Sequence, residues 1–350
     1  MSLDQIDALL AANAPTRLLI EADLKPIQGS RFQPTGFPSL GAAVFTAKDG
    51  EHLLVESAQS MANRLEATIW DDANGDLIPA ARGLSYVQVT VTQPNGTTIP
   101  TNSITESHRL ASAYILKSSH PSAKAFQKIF EDVEDSKDRK KFVEKLLAYD
   151  INSLLHGAWL SQLGKGRLRL ARALSSFIEA SGIHLAASGG AKNDHVDSTT
   201  KKETDDAALG SSNDGFGNVI FSRDEYTADR ITAFFNLDLK QIRSYDLGND
   251  VKKLLVALAL FKVRALLDGD LRLRTACDLT VEKLTVTAPK DFALPSLAEL
   301  SAALPQLIQA CAGQFAGVTC VTYVPGKKPK EDKKAESTNS DTDSDTSDGE

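Results

Sequence analysis

The stretch RLLIEADLKPIQGSRFQPTGFP, residues 17–38, decides the fold. Its first part alternates. Leu18, Ile20, Ala22 and Leu24 fall on one side, and Glu21, Asp23 and Lys25 on the other, the period-two pattern of a half-buried strand. Asp23, on the polar side, reads as a structural or orienting carboxylate. The second part is an unusual connector: QGSRFQPTGFP combines Gly, Ser and Arg with Phe and Pro. Gly-Ser turns offer backbone amides that hold anions, and an Arg fork suits a phosphate. Pro34 and Pro38 limit the entropy of such a loop. Phe32 has two readings, a ring that stacks on a base or an anchor for the loop.

Working outward, residues 3–12 form a short amphipathic helix closed by Pro15. Leu54, Ala58, Met61, Leu65 and Ile69 have helical spacing and mark a core face, with Ser57, Ser60 and Arg64 on a polar face. YVQVTVT, residues 86–92, is another alternating strand, and Asn95-Gly96 after it signals a hairpin. Residues 106–116 and 122–149 read as charged helices, and 151–162 as an apolar element, strand or buried helix. GRLRLARALSSFIEAS, residues 166–181, is predicted to be a helix with Leu170, Leu174 and Phe177 inward and Lys165, Arg169 and Arg172 on another face.

Residues 182–188 suit a short strand, and Gly189 to Asp229 is a long polar segment of the kind that is functional or disordered. Residues 231–240 alternate again, with Phe234 on the polar face, placed either to stack on a base or to pack beneath an insertion. A helix buried on most sides comes next at 250–268, then strand material at 271–287. The order is strand, helix, strand, strand, helix, strand. It predicts an α+β fold, a ferredoxin-like, RNA-recognition-like palm (βαββαβ) with large helical insertions. The expected organisation is one domain, 1–325. The palm covers about 15–72, 166–188 and 230–325, fingers 72–165 and a thumb loop 189–229. The remainder, 326–350, is predicted to be a disordered acidic tail.

Apolar residues make up 42% of the 350, enough for a sizeable core. The formal charge is −7, of which the segment 326–350, with eight acidic and five basic residues, carries −3. A nucleic-acid role must therefore rest on local patches of the body. The three cysteines, Cys277, Cys311 and Cys320, are too scattered for a disulfide framework and read as buried free thiols. The N-terminus lacks a basic n-region, and no apolar run approaches the ~18 residues of a membrane span, so a soluble, cytoplasmic chain is expected.

No phosphate-loop, HExxH or GxSxG motif occurs. DHVD, residues 194–197, places a His between carboxylates, but its composition offers no rigid support and favours a solvated loop over a metal site. His108, beside Arg109, and His156 are candidate general bases for a metal-independent ribonuclease, although a hydrogen-bonding His is the commoner case. The basic residues say more. Lys25 and Arg31 bracket the loop, and Arg64, Arg109, Lys165, Arg167, Arg169, Arg172, Arg272 and Arg274 are spread through the body. No metal or cofactor is expected.

At these residues a family resemblance enters. LLIEADLKPIQGSRFQPTGFPSLG, LLVESAQSMANRLE, GRLRLARALSSFIEASGI, GFGNVIFSRDEYTADRITAFFNLDLKQIRSY and LLVALALFKVRALLDGDLRLRTACDL resemble the backbone subunit of the type I-G (formerly I-U) CRISPR surveillance (Cascade) complex, of the RAMP superfamily. The resemblance runs from about residue 15 to 287 and leaves out the tail. It implies a non-enzymatic subunit whose copies stack head to tail along a CRISPR RNA. The palm and fingers hold its backbone, the thumb kinks the guide, and the guide pairs with target DNA. It also implies other complex subunits and a separate helicase-nuclease as partners.

By motif it carries RNA contact to Gln28, Gly29, Ser30, Arg31, Phe32 and Gln33, with Ser60, Asn63 and Arg64 on the helix, then Arg167 and Arg169; Lys25 and Arg109 join them as basic candidates. Phe216, Asn218 and Phe221 become thumb candidates. Two alternatives stay open. One is a ribonuclease that processes precursor RNA through His108 or His156, or cuts target RNA through Asp194, Asp197 or Asp214. The other is an assembly protein with no RNA role.

Overall fold

The computed structural model describes residues 4–37, 40–120, 125–136, 138–193, 195 and 218–326. The predicted tail from 327 onward, Asp194, Asp197, Asp214, Phe216 and Pro38 lie outside the described residues. The main strands are β1 (Arg17–Pro26), β2 (Val44–Ala47), β3 (Gly50–Glu56), β4 (Tyr86–Thr92), β5 (Thr98–Asn102), β6 (Leu174–Ser181), β7 (His184–Lys192), β8 (Val219–Thr227), β9 (Arg230–Asp238), β10 (Leu271–Arg274), β11 (Cys277–Ala288) and β12 (Val318–Tyr323). The main helices are α1 (Asp4–Leu10), α2 (Ala58–Ala67), α3 (Arg139–Tyr149), α4 (Asn152–His156), α5 (Asn249–Leu267) and α6 (Leu297–Cys311).

Seven strands form one sheet in the order β10-β11-β1-β9-β6-β3-β2. β1 sits inside it, antiparallel to β9 on one side and β11 on the other. Its apolar alternation decides which face meets the core: Leu18, Ile20, Ala22 and Leu24 are all buried. On β9 the same face carries Ile231, Ala233, Phe235 and Leu237. Register matters here, because a one-residue slip would turn this whole set to the opposite face. The helices α2 and α5 cover this face. α5 is buried nearly all round, from Val251 to Val263, as its continuous apolar composition requires. Each fully buried Leu or Val along it contributes roughly 1.5–3 kcal/mol of transfer free energy. Among the described residues no helix is long and apolar enough to cross a membrane.

One predicted helix is a strand. Residues 174–181 form β6, paired with β9 and β3. Leu170, Leu174 and Phe177 have helical spacing, but the burial alternates: Leu174, Ser176, Ile178 and Ala180 are buried while the residues between them are half-buried. Phe177 points to the other face and stacks on Phe234 of β9, centroids 5.2 Å apart. Phe234 therefore packs against a neighbouring strand. The segment GKG (164–166), at the start of that predicted helix, is a tight turn with Lys165 at φ 54.

A second, smaller sheet has the order β12-β4-β5. The hairpin at Asn95-Gly96 joins β4 to β5 as predicted. β12 pairs parallel to β4, so this strand joins the small sheet and not the large one. Charged residues 122–149 are only partly helical among the described residues, chiefly as α3. The predicted polar loop after residue 188 begins and ends as a two-stranded ribbon, β7 paired with β8, outside both sheets. Cys277 and Cys311 are buried free thiols, whereas Cys320 is exposed, because β12 alternates and turns it outward.

Candidate nucleic-acid interface

The loop after β1 is pinned at both ends and open between. Ile27 N–H donates to Asp278 O at 3.0 Å. Phe32 and Tyr226 exchange a reciprocal pair of backbone bonds at 2.9 Å, and Gln33 N–H donates to Ala276 O at 2.8 Å. The Phe32 ring is fully buried, so it anchors the loop and offers no face to a base. Between these pins Gln28, Gly29, Ser30 and Arg31 are exposed. Among the described residues none of their backbone N–H groups has a hydrogen-bond acceptor. Gly29 is in the left-handed region at φ 70, where a Cβ would be strained. The four amides border a cavity of about 510 Å³ that also includes Ser188 of the ribbon and the Arg31, Arg223 and Arg272 side chains.

Two buried carboxylates hold this cradle in shape. Glu225 is buried and pairs with Arg223 at 2.6 Å and with Arg31 at 3.4 Å. Glu56, also buried, is gripped by Arg274, whose other nitrogen donates to Gln33 O at 3.0 Å and Val55 O at 3.1 Å. Removing one partner of a buried pair leaves an uncompensated charge, so these contacts are costly to break. Arg31 still leaves about half of its side chain in solvent, 55%.

The remaining predicted residues divide. Lys25 is exposed and pairs with Glu282 of β11 at 2.7 Å, a contact of little energy. Asp23 takes the orienting role expected of it, accepting from Arg230 of β9 at 2.9 Å. Ser60 lies half-buried on α2, which Ser57 caps by accepting from Ser60 N–H at 3.2 Å. Asn63 is exposed and accepts from Arg109 at 3.1 Å. Arg64 is committed inward, to the carbonyls of Arg272 and Leu273 and to Glu56. Arg109 is likewise committed, making a fork with buried Glu66 at 2.7 Å. Arg167 and Arg169 are exposed and outside the cradle: Arg169 lines a cleft with Arg109, and Arg167 and Arg169 both border a smaller pocket with Glu134 and Asp138.

On the ribbon, Asn218 and Phe221 are exposed, and the Arg223 guanidinium lies 5.9 Å from the Phe221 ring centroid. Gly190 lets that ring lie across the ribbon, since a Cβ there would stand 3.3 Å from it.

The two candidate bases differ. His108 is exposed. His156 is buried, with Lys262 Nζ 2.9 Å from its Nε2. Burial, then the charges of Lys262, Arg109 and Arg172, hold its pKa well below the ordinary 6.5. Lys262 also donates to Asn152 Oδ1 at 2.6 Å, and burial lowers its pKa to about 8. Burial raises the neighbouring Asp150 to about 7. Neither these long-range buried pairs nor the exposure of Trp159 has a local sequence signal. Glu66 and Arg109, for example, lie 43 residues apart. Among the described residues no group of three side chains is placed to hold a metal.

Comparison with known proteins finds a similarity over part of the chain. Residues 18–185, just under half of the chain, match the model described as CRISPR-associated protein GSU0053. No curated protein gives a significant match. Among solved structures, a chain of a "CRISPR RNA-guided surveillance complex, pre-nicking" is similar with TM-score 0.42 and 13% identity, covering 84% of this chain and 87% of that one. Csc2 of Thermofilum pendens gives TM-score 0.31 and 9% identity, covering 89% of this chain and 80% of the other. Both scores are too low to establish a shared fold.

Proposed function

With residues 18–185 similar to a CRISPR-associated family, we propose that the chain is a CRISPR RNA-binding backbone subunit of a surveillance complex. The type I-G (formerly I-U) assignment made from its motifs is the subtype we favour. The observation that carries the reading is the row of four exposed amides, Gln28 to Arg31, without acceptors among the described residues and beside three arginines. A subunit that serves any guide must hold phosphate and 2′-OH groups rather than base edges. Backbone amides do this without regard to sequence. Gln33, Ser60 and Asn63 extend the contact across α2.

The ferredoxin-like palm is supported by the strand order β11-β1-β9-β6, with every neighbouring pair antiparallel. In this reading residues 72–165 are the fingers and β7–β8 is the base of the thumb, with Asn218 and Phe221 on it. Copies stack head to tail along the guide, which pairs with target DNA, and other subunits and a helicase-nuclease complete the complex. The ribonuclease alternative gains nothing from His156, which is buried against an ammonium group.

Co-expression with a CRISPR array and the partner subunits tests the proposal. The expected product is a complex containing RNA of uniform length, lost when Arg31 is reversed to Glu. A nucleic-acid-free monomer would contradict it. Cleavage of labelled precursor or target RNA by the purified chain would favour the ribonuclease.

A further inference from the structure

On the other side of α2 from the cradle lies a larger cleft, about 780 Å³. Four arginines line it, Arg109, Arg139, Arg169 and Arg172, and among the described residues no carboxylate does. Arg109 is neutralised by Glu66 behind it, and Arg172 donates to Ala58 O at 3.0 Å. Arg139 and Arg169 are exposed, and their side chains make no hydrogen bond or ion pair with the described residues. The cleft wall therefore carries more positive charge than the cradle, which has Glu225 and Asp278 in its wall; Glu134 and Asp138 line a smaller adjoining pocket that Arg139 and Arg169 also border.

Two further features point to a ligand. Trp159 on the cleft wall is 62% exposed, yet its indole N–H is already held by Gly166 O at 3.1 Å. An indole with its polar end tied down and most of its surface free is a ready stacking platform. Gly157, at φ 83, makes the turn possible, because a Cβ there would meet Leu170 O at 2.9 Å. His156 supplies the second feature. An ammonium group has only hydrogens to give, so Nε2 accepts from Lys262 and the imidazole proton sits on Nδ1. That buried Nδ1 has no partner among the described residues, although His156 forms part of the cleft wall. An unpaired buried donor beside two free guanidiniums calls for an acceptor.

We propose that this cleft is a second anion site, which holds one phosphate of a single-stranded nucleic acid between Arg139 and Arg169 with the adjoining base on the Trp159 ring. It rests on the nucleic-acid reading above and places a contact outside the residue 28–33 loop. Trp159 favours a nucleotide over an acidic peptide, which would need the charge but not the ring.

The chain has two tryptophans, so Trp70→Phe leaves Trp159 as the fluorescent reporter. The probe is the 5′-phosphorylated dinucleotide pApA. It should quench Trp159 saturably, with adenosine weaker by roughly tenfold or more, since charge-assisted bonds are lost. Inorganic phosphate should compete. Arg139→Gln with Arg169→Gln should weaken pApA binding by a similar factor, and Arg169→Gln alone by less. Equal quenching by adenosine, no effect of the arginine variants, or displacement only by a poly-glutamate peptide would overturn the proposal. Comparing pApA with its deoxy form separates the source of the strand. A ribose preference assigns the guide and a deoxyribose preference the target; either supports the site. If Arg31→Glu leaves RNA retention unchanged while quenching persists, the cradle reading alone fails. If RNA is retained through Arg31 but Trp159 does not respond, the cleft alone fails.

Discussion

Two basic sites flank α2, and they are built in opposite ways. In the cradle Arg31 and Arg223 are tied to buried Glu225, Arg274 behind it to Glu56 and Arg272 loosely to Asp278, and the free donors are backbone amides. In the cleft the free donors are side chains, Arg139 and Arg169. The cradle is a fixed surface whose arginines act as struts. The cleft is an adaptable surface whose arginines are available. Counting basic residues in the sequence would rank both alike; the carboxylates behind them separate the two.

The contrast can be broken at the cradle first. Phe32→Ala removes the buried anchor and should cost about 3–5 kcal/mol in chemical denaturation. The variant should lose RNA retention while the cleft still quenches with pApA. If stability were unchanged, the loop would not be pinned by that ring. At the cleft, Glu66→Gln leaves Arg109 with an unpaired charge and should cost about 3 kcal/mol. A cost near zero would mean that solvent reaches this pair.

The buried set behind the cleft gives a pH signature. Asp150 binds its proton more tightly in the folded chain, with a pKa of about 7 against 3.8 unfolded. Stability is therefore lost as pH rises from about 4 to about 7, and Asp150→Asn should remove that loss, about 4 kcal/mol at pH 7. His156, whose pKa is depressed, acts with the opposite sign and gains stability as pH rises through 6.5, so the variant should show the remaining upward slope. Urea denaturation across this range, wild type against variant, measures it. Parallel curves would show that Asp150 keeps its charge when buried. The smallest effect belongs to Arg31→Ala. RNA affinity should fall by about 1 kcal/mol and the salt slope by about one ion, with little change in stability. An unchanged slope would place the Arg31 charge away from phosphate.

Much of the frame is legible in the sequence. β1 alternates without exception, β9 does so apart from buried Thr232, and α5 is apolar enough to admit only burial. β6 imitates a helix because its buried face includes Ser176 and its outer face includes Phe177, which together resemble a helical stripe. The loop 28–33 stands out by composition, since Gly, Ser and Arg together have a chemical purpose. Which of its residues are free is not legible. The partners of Phe32, Arg64 and Arg109 lie far away in the chain, and only the fold brings them into contact. Trp159 sits in an apolar run that predicts burial, and its exposure follows from the left-handed turn at Gly157.

The central claim is that the amides of Gln28 to Arg31 hold the guide, and hydrogen exchange measures those amides directly. Complexes carrying RNA should be compared with the RNA-free chain. Slower exchange across Gln28 to Arg31 in the loaded complex is the predicted result. Unchanged exchange there, with RNA fully retained, would contradict it.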